Sequence, residues 1–406
     1  MENLPGYKAN NKPQRLLSLD ALRGFDMFWI VSGEGIFHGF ANGVMAKHSL
    51  SRNTENWQIT TNDDLNFVER LAVGISNQLH HSVWNGFTFY DLIFPLFIFI
   101  AGVSMPYSFG RQMEMTGPDH AHAKKGIYRS LIKRTVILIF LGMVVNGALQ
   151  LQGYENTRFA SVLGRIAISC FLGAIIFLNF SFRAQMAWFI GILLAYWAAM
   201  TLTPVPGFGA GDLSPEGNLA GYADRILMPG KLHRTNYDPE GLLSHFPAAC
   251  SALLGIFTGQ FLRKELHGWP MQKKSATLAL SGLILLFAGW LWGLVFPINK
   301  TLWTSSFVLF AGGWSLILLA LFYQITDIWQ FRNWSLPFVW LGMNSILIYV
   351  AAHGAIDFLA TSQFLFGGMI NLLPSIWHEA FTWIGVAILQ FAGLYILYKN
   401  KIFLKV

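Results

Sequence analysis

Apolar residues fall along the chain in long blocks, not in short periodic stripes. Ten blocks stand out, at 17–42, 83–108, 129–151, 159–180, 183–203, 241–262, 275–297, 303–326, 335–361 and 376–398. A helix that crosses a bilayer needs about 20 mostly apolar residues. These blocks are hydrophobic nearly all round, as spans inside a bundle are. The pattern predicts an all-α, polytopic membrane helix bundle of about ten spans. A β-barrel is excluded, because alternating segments of about ten residues are absent. Gly-rich runs such as "LLGIFTGQF" (253–261) and "LFAGGW" (309–314) allow close helix approach.

The polar stretches set the orientation. Of the 28 Lys and Arg residues, 19 fall at one set of block ends. The positive-inside rule places those ends in the cytoplasm, with both termini there and an even number of spans. The chain then reads as a single transmembrane domain with a polar cytoplasmic start at 1–15. Two long outer loops follow, at 43–82 and 204–240. Loops of that length are usually functional or disordered, and the Trp, Tyr, Leu and Gly content of these argues for order. The polar start and the long first block, which lacks a small-residue cleavage site, predict a retained anchor and not a cleaved signal.

Composition supports this picture. The chain of 406 residues is 54% hydrophobic and only 12% charged, about half the usual charged share of soluble domains. The net charge of +7 follows from cytoplasmic loop residues, so no nucleic-acid partner is expected. The two cysteines, Cys170 and Cys250, lie inside apolar blocks and read as buried thiols. No metal site is expected.

Ionisable residues inside spans mark function by default. Asp26 and Glu34 lie in the first block, Asp91 in the second, Arg165 in the fourth, His245 in the sixth, and His353 and Asp357 in the ninth. The densest polar group is "HHSVWNGFTFYDLIFPLF" (80–97). Read as helix, it puts His81, Trp84, Asn85 and Thr88 on one face. That face is polar and aromatic, as a saccharide site requires, although Trp84 also fits an interfacial belt. Helical rise sets Asp91 about 15 Å beyond His81, so the two are expected not to touch. Asp91 would then orient a neighbouring helix, an Asn or an Arg. In "YDPEGLLSHF" (237–246), Asp238 and Glu240 flank a proline at an expected helix start, where they serve the helix dipole or a site mouth. In "GMNSILIY" (342–349), Asn344 and Ser345 interrupt an apolar run, and the Asn needs a bond across helices.

Several stretches together resemble one family. They are "SLDALRG" (18–24), "HHSVWNGFTFYDLIFPLFIFIAGVSM" (80–105), "VLGRIA" (162–167), "AGYADRIL" (220–227), "YDPEGLL" (237–243), "INKTLWTSSFV" (298–308) and "GMNSILIYV" (342–350). In this order they resemble the heparan-α-glucosaminide N-acetyltransferase family and its bacterial relatives, over roughly residues 15–400. The resemblance implies acetyl transfer from cytosolic acetyl-CoA to the amine of a terminal glucosamine on the far side. It implies an essential histidine two residues before "WNG" with its spacing H-x-x-W-N-G, which is His81. An ungapped match from "LDALRG" puts Glu34 where the family has an active-site asparagine. The long 43–82 loop departs from the family's lysosomal member.

The expected chemistry follows. His81 acts as general base, with Asn85 or Asn344 donating to the oxyanion; an acetyl-histidine intermediate is the alternative. Trp84, Asp91, Asp238, Glu240 and Ser345 contribute to the acceptor site. Arg129, Lys133 and Arg134 offer cations to the CoA phosphates, or anchor the helix at the inner face. The expected partners are an amino-sugar or glycan acceptor and the lipid bilayer of the inner or plasma membrane, with a homodimer left open. O-acetylation of exported glycans and transport of an amino sugar are the competing functions.

Overall fold

A computed structural model describes residues 16–53, 57–60, 64–113, 118–264 and 269–404, with the side chains of 111–121 left aside. The expected polar start at 1–15 lies outside the described residues. The chain is an all-α bundle. α1 (Leu17–Phe28) passes through a π-helical turn (Trp29–Gly33) into α2 (Glu34–His48) without leaving helical dihedrals. α3 (Phe67–Gln78) is started by a capping box between Asn66 and Glu69. α4 (Phe89–Met113), α5 (Pro118–Val145), α6 (Val162–Asn179) and α7 (Phe182–Leu202) follow. After the short α8 (Leu219–Leu227) come α9 (His245–Arg263), α10 (Met271–Gly293) and α11 (Ser305–Phe322). The remainder is α12 (Leu336–Met343), α13 (Ser345–Val350), α14 (Phe358–Ile370) and α15 (His378–Lys399).

Seven helical segments among the described residues are long and apolar enough to cross a membrane, and a bent pair makes an eighth candidate. The protein is therefore a multi-pass membrane protein. The expected spans at 17–42 and 129–151 correspond to long helices that are more polar. The span expected at 335–361 is not one rod. It bends by 67° between Asn333–Met343 and Ser345–Ala355, and α14 begins soon after. The bend falls at Asn344, whose side chain donates to Ile402 O and accepts from Leu404 N, both at 3.0 Å.

α4 and α9 cross at the centre because glycines clear the path. A Cβ on Gly102 would stand 2.2 Å from Ala252 O, and one on Gly255 2.1 Å from Phe99 O. The main core runs through α1, α4, α6, α9 and α11. Outside it, the 43–82 region forms a lobe in which α3 packs on α2 around Ala41, Val44, Ile59, Leu65 and Val73. The 204–240 region is ordered by a small hairpin, Pro204–Val205 with Gly209–Ala210, and by α8, capped by Asn218.

Candidate active site

Helix α4 begins at Phe89, so residues 80–88 form a loop, contrary to the helical reading of that stretch. The cause is Asp91. Its carboxylate is fully buried and gathers donors from the loop: Ser82 N at 3.1 Å, Ser82 Oγ at 2.8 Å and Thr88 N at 3.1 Å, while Thr88 Oγ1 donates to His80 O at 2.7 Å. The bond to Thr88 N is one half of a capping box. Wrapped this way, the loop returns His81 to the helix start. His81 Nδ1 lies 2.8 Å from Asp91 Oδ1. The expectation that these two residues stay apart is overturned, because it assumed helical rise across a segment that is not helical.

A carboxylate with so many donors is an ionised acceptor, so His81 donates from Nδ1 and its Nε2 carries the lone pair. Lys300, from the turn between α10 and α11, places Nζ 3.0 Å from His81 Nδ1 and 3.1 Å from Nε2. A nitrogen equally close to both cannot lie in the ring plane without striking the Cε1–H between them. The ammonium therefore sits over the ring face and leaves the in-plane lone pair of Nε2 free. Enclosure in protein and then the Lys300 charge hold the imidazole below the usual histidine range, against the opposing pull of Asp91. Burial likewise lowers Lys300 from the ordinary lysine range, with Asp91 and Glu240 opposing.

Two turns bring His81 and Lys300 together. Gly86 N donates to Ile298 O at 2.8 Å, and Asn299 Nδ2 donates to Asn85 Oδ1 at 3.1 Å. Gly86 has φ 125°, which a side chain would oppose. Asn299 is fully buried and also accepts from Leu302 N at 2.8 Å, so the lysine turn is rigid.

The neighbours complete a cavity of about 240 Å³. His81, Tyr90, Glu240, Lys300, Tyr349 and His353 supply its polar groups, and Met27, Ile93, Phe97 and Ile166 are among its apolar ones. The Tyr90 hydroxyl donates to Glu34, and the Tyr90 and His81 rings lie 4.7 Å apart. Arg158 binds Asp238 through two bonds and also reaches Glu240. Burial alone would raise the Asp238 carboxyl, but Arg158 holds it below the usual carboxylate range.

The sequence model described as heparan-alpha-glucosaminide N-acetyltransferase, catalytic, matches residues 60–291. The chain belongs to this family. Proteins named heparan-alpha-glucosaminide N-acetyltransferase from Mus musculus and Homo sapiens are each 27% identical to it, over 387 and 389 residues. Both matches cover 80% of this chain, and 56% and 55% of the relatives. The chain thus spans a little over half the length of the curated relatives it matches.

Within this family member, the other expected residues scatter. Glu34 is at the site behind Tyr90. Glu240 lines the cavity, while Asp238 is held by Arg158; neither starts a helix, since α9 begins at His245. Trp84 turns away, donating to Leu213 O at 2.9 Å and packing on Tyr237 at 5.1 Å. Asn85 is engaged in the clamp. Asn344 and Ser345 lie at the bend, next to Ile346, which lines the cavity. The Asn344 amide is engaged there with backbone, donating to Ile402 O and accepting from Leu404 N. Arg129, Lys133 and Arg134 are exposed on α5. Tyr128 beside them bonds Asn179, where α6 ends, so this group is remote from the cavity.

Sequence reading missed Lys300 and Arg158. Both belong to the nine basic residues left over when 19 of 28 are assigned to the cytoplasmic ends. A cation on the wrong side of that rule was the available signal.

Proposed function

We propose that the protein is a transmembrane N-acetyltransferase that moves acetyl from acetyl-CoA to the amine of glucosamine or a terminal glucosaminide. The observation that carries this reading is the His81–Asp91 pair, with Nε2 free at the wall of a cavity between the helices. Asp91 fixes the tautomer and compensates the charge that His81 acquires. The acceptor amine, held at Nε2, attacks the thioester carbonyl and passes its proton to His81. The C–S bond then breaks as the carbonyl re-forms, the electron pair goes to sulfur, and His81 returns the proton to the thiolate.

The two partners approach from opposite ends. The acceptor meets Tyr90, Tyr349 and Glu240, where aromatic faces and a carboxylate suit a sugar. The acetyl arm lies along the apolar wall of α1, α4 and α6. Arg129, Lys133 and Arg134, at the far end of the bundle, meet the CoA phosphates. The test is release of free CoA by purified protein given acetyl-CoA and a panel of amino sugars. Acetylated sugar should form in step with thiol. Sugar uptake into vesicles without acetyl-CoA consumption would favour a transporter instead.

A further inference from the structure

We propose that Lys300 is a catalytic residue whose ammonium stabilises the oxyanion of the tetrahedral intermediate. The proposal rests on the acetyl-transfer reading and adds the group that reading lacks. Thioester attack pushes the carbonyl π electrons onto oxygen, and a fixed donor at that oxygen is usually the largest single catalytic contribution. The two amides expected from the sequence do not line the cavity, and Lys300 does. Asn344 donates to Ile402 O at the bend, and Asn85 accepts from Asn299 in the clamp. Tyr90 is committed to Glu34.

Lys300 has the right position. It lines the same cavity as His81, with Nζ about as close to Nε2 as to Nδ1. An amine nitrogen hydrogen-bonded to Nε2 places the attacked carbonyl within a few ångströms of Nζ. The required geometry is a point about 3 Å from both the base-held nucleophile and the oxyanion donor.

A purely structural role fits poorly. His81 needs no second group to orient it, because Asp91 already holds Nδ1. Asp91 Oδ2 takes the donors of Ser82 and Thr88 N, and Oδ1 takes His81. Lys300 Nζ forms an ion pair with Asp91 Oδ1 at 3.7 Å, longer than a hydrogen bond. An ammonium over an imidazole disfavours the imidazolium, so it does not serve the base after proton uptake. A negative charge developing beside the ring is what it favours. The balance is complete without another reagent. The oxyanion's electron pair re-forms C=O, the C–S pair leaves on sulfur, and Lys300 keeps its protons throughout.

The rigid turn supports the role. Asn299 is bonded on both sides, and the clamp to Gly86 and Asn85 fixes the lysine backbone before substrate arrives. Preorganised charge of this kind requires no rearrangement at the moment of reaction.

The test is steady-state kinetics of Lys300→Ala in intact detergent-purified protein, reading acetylated sugar by mass, since small amines can themselves accept acetyl. kcat should fall by roughly 10²–10³-fold, with both KM values within a few-fold of wild type. Ethylammonium should restore part of kcat by filling the space of the lost stem. Acetyl-CoA protection against thermal unfolding reports folding; if Lys300→Ala does not accumulate, Lys300→Gln carries the same kcat and KM comparison. Retained kcat, a loss confined to the acceptor KM, or a kcat loss in folded Lys300→Ala that ethylammonium leaves untouched would each overturn the proposal. Wild-type protein that forms no acetylated sugar would instead overturn the underlying function, so the two failures are separable.

Discussion

At the scale of the residue, the site turns on one histidine held by one carboxylate. His81→Ala should lower acetyl transfer by roughly 10²–10⁴-fold in protein that still binds acetyl-CoA. His80→Ala should keep most activity. The His80 ring stacks on His38 at 4.2 Å, and burial followed by the His38 charge pushes it down to about 4. CoA release by both variants at matched protein levels checks the pair. Asp91→Asn should also be severe, because an amide can donate to Nδ1 and reverse the tautomer. The pH profile has a definite sign. As general base His81 works neutral, and its pKa lies below the usual 6.5, so the acid limb of kcat, measured with the acceptor saturating, should fall below pH 6.5. Activity should rise through that limb as the proton leaves, and a limb centred above 6.5 would contradict the assignment. The choice of this histidine as the candidate base came from the family spacing to "WNG", and the His81→Ala measurement tests it. Its partnership with Asp91 was not legible, since a count of ten residues becomes a distance only once the local structure is known.

The elements explain why that distance was misjudged. An apolar run predicts where a helix lies but not where a polar start unwinds. At 80–88, Ser82 and Thr88 find a buried carboxylate, and that outweighs helix continuation. The break at Asn344 has the same character. The sequence showed an amide that needed a partner across helices, but the partner is backbone just beyond α15, so no periodicity points to it. The break redirects α13, which carries Tyr349 toward the cavity. Asn344→Ala would leave Leu404 N–H and Ile402 O without this partner, at about 1–3 kcal/mol for a buried polar group. It should lower the thermal midpoint and raise the acceptor KM more than kcat falls. An unchanged acceptor KM would show that the bend does not set the Tyr349 wall.

Over the whole molecule, the basic residues predict which way the bundle faces. In a background lacking Cys170 and Cys250, Thr235→Cys should react with an impermeant thiol reagent applied from outside. Lys273→Cys should be protected. Both positions are exposed on the protein, so accessibility reports the membrane side; the reverse pattern would invert the topology. Neutralising Arg129, Lys133 and Arg134 together should raise the KM for acetyl-CoA and leave that for the sugar nearly unchanged. The placement of the apolar helices was legible because bilayer thickness imposes their length, but of about ten expected spans seven, or eight with the bent pair, are long and apolar enough among the described residues. The site was less so, because it is assembled from turns far apart in the chain. The clamp between those turns also bears on biosynthesis. Lys300 follows His81 by 219 residues, so α4 through α10 are synthesised before the two can meet. A chain arrested at residue 291, where the family match ends, has the histidine and its carboxylate but not Lys300. With Lys300 in the role proposed for it, a nascent chain lacks its full site until most of its helices have entered the membrane.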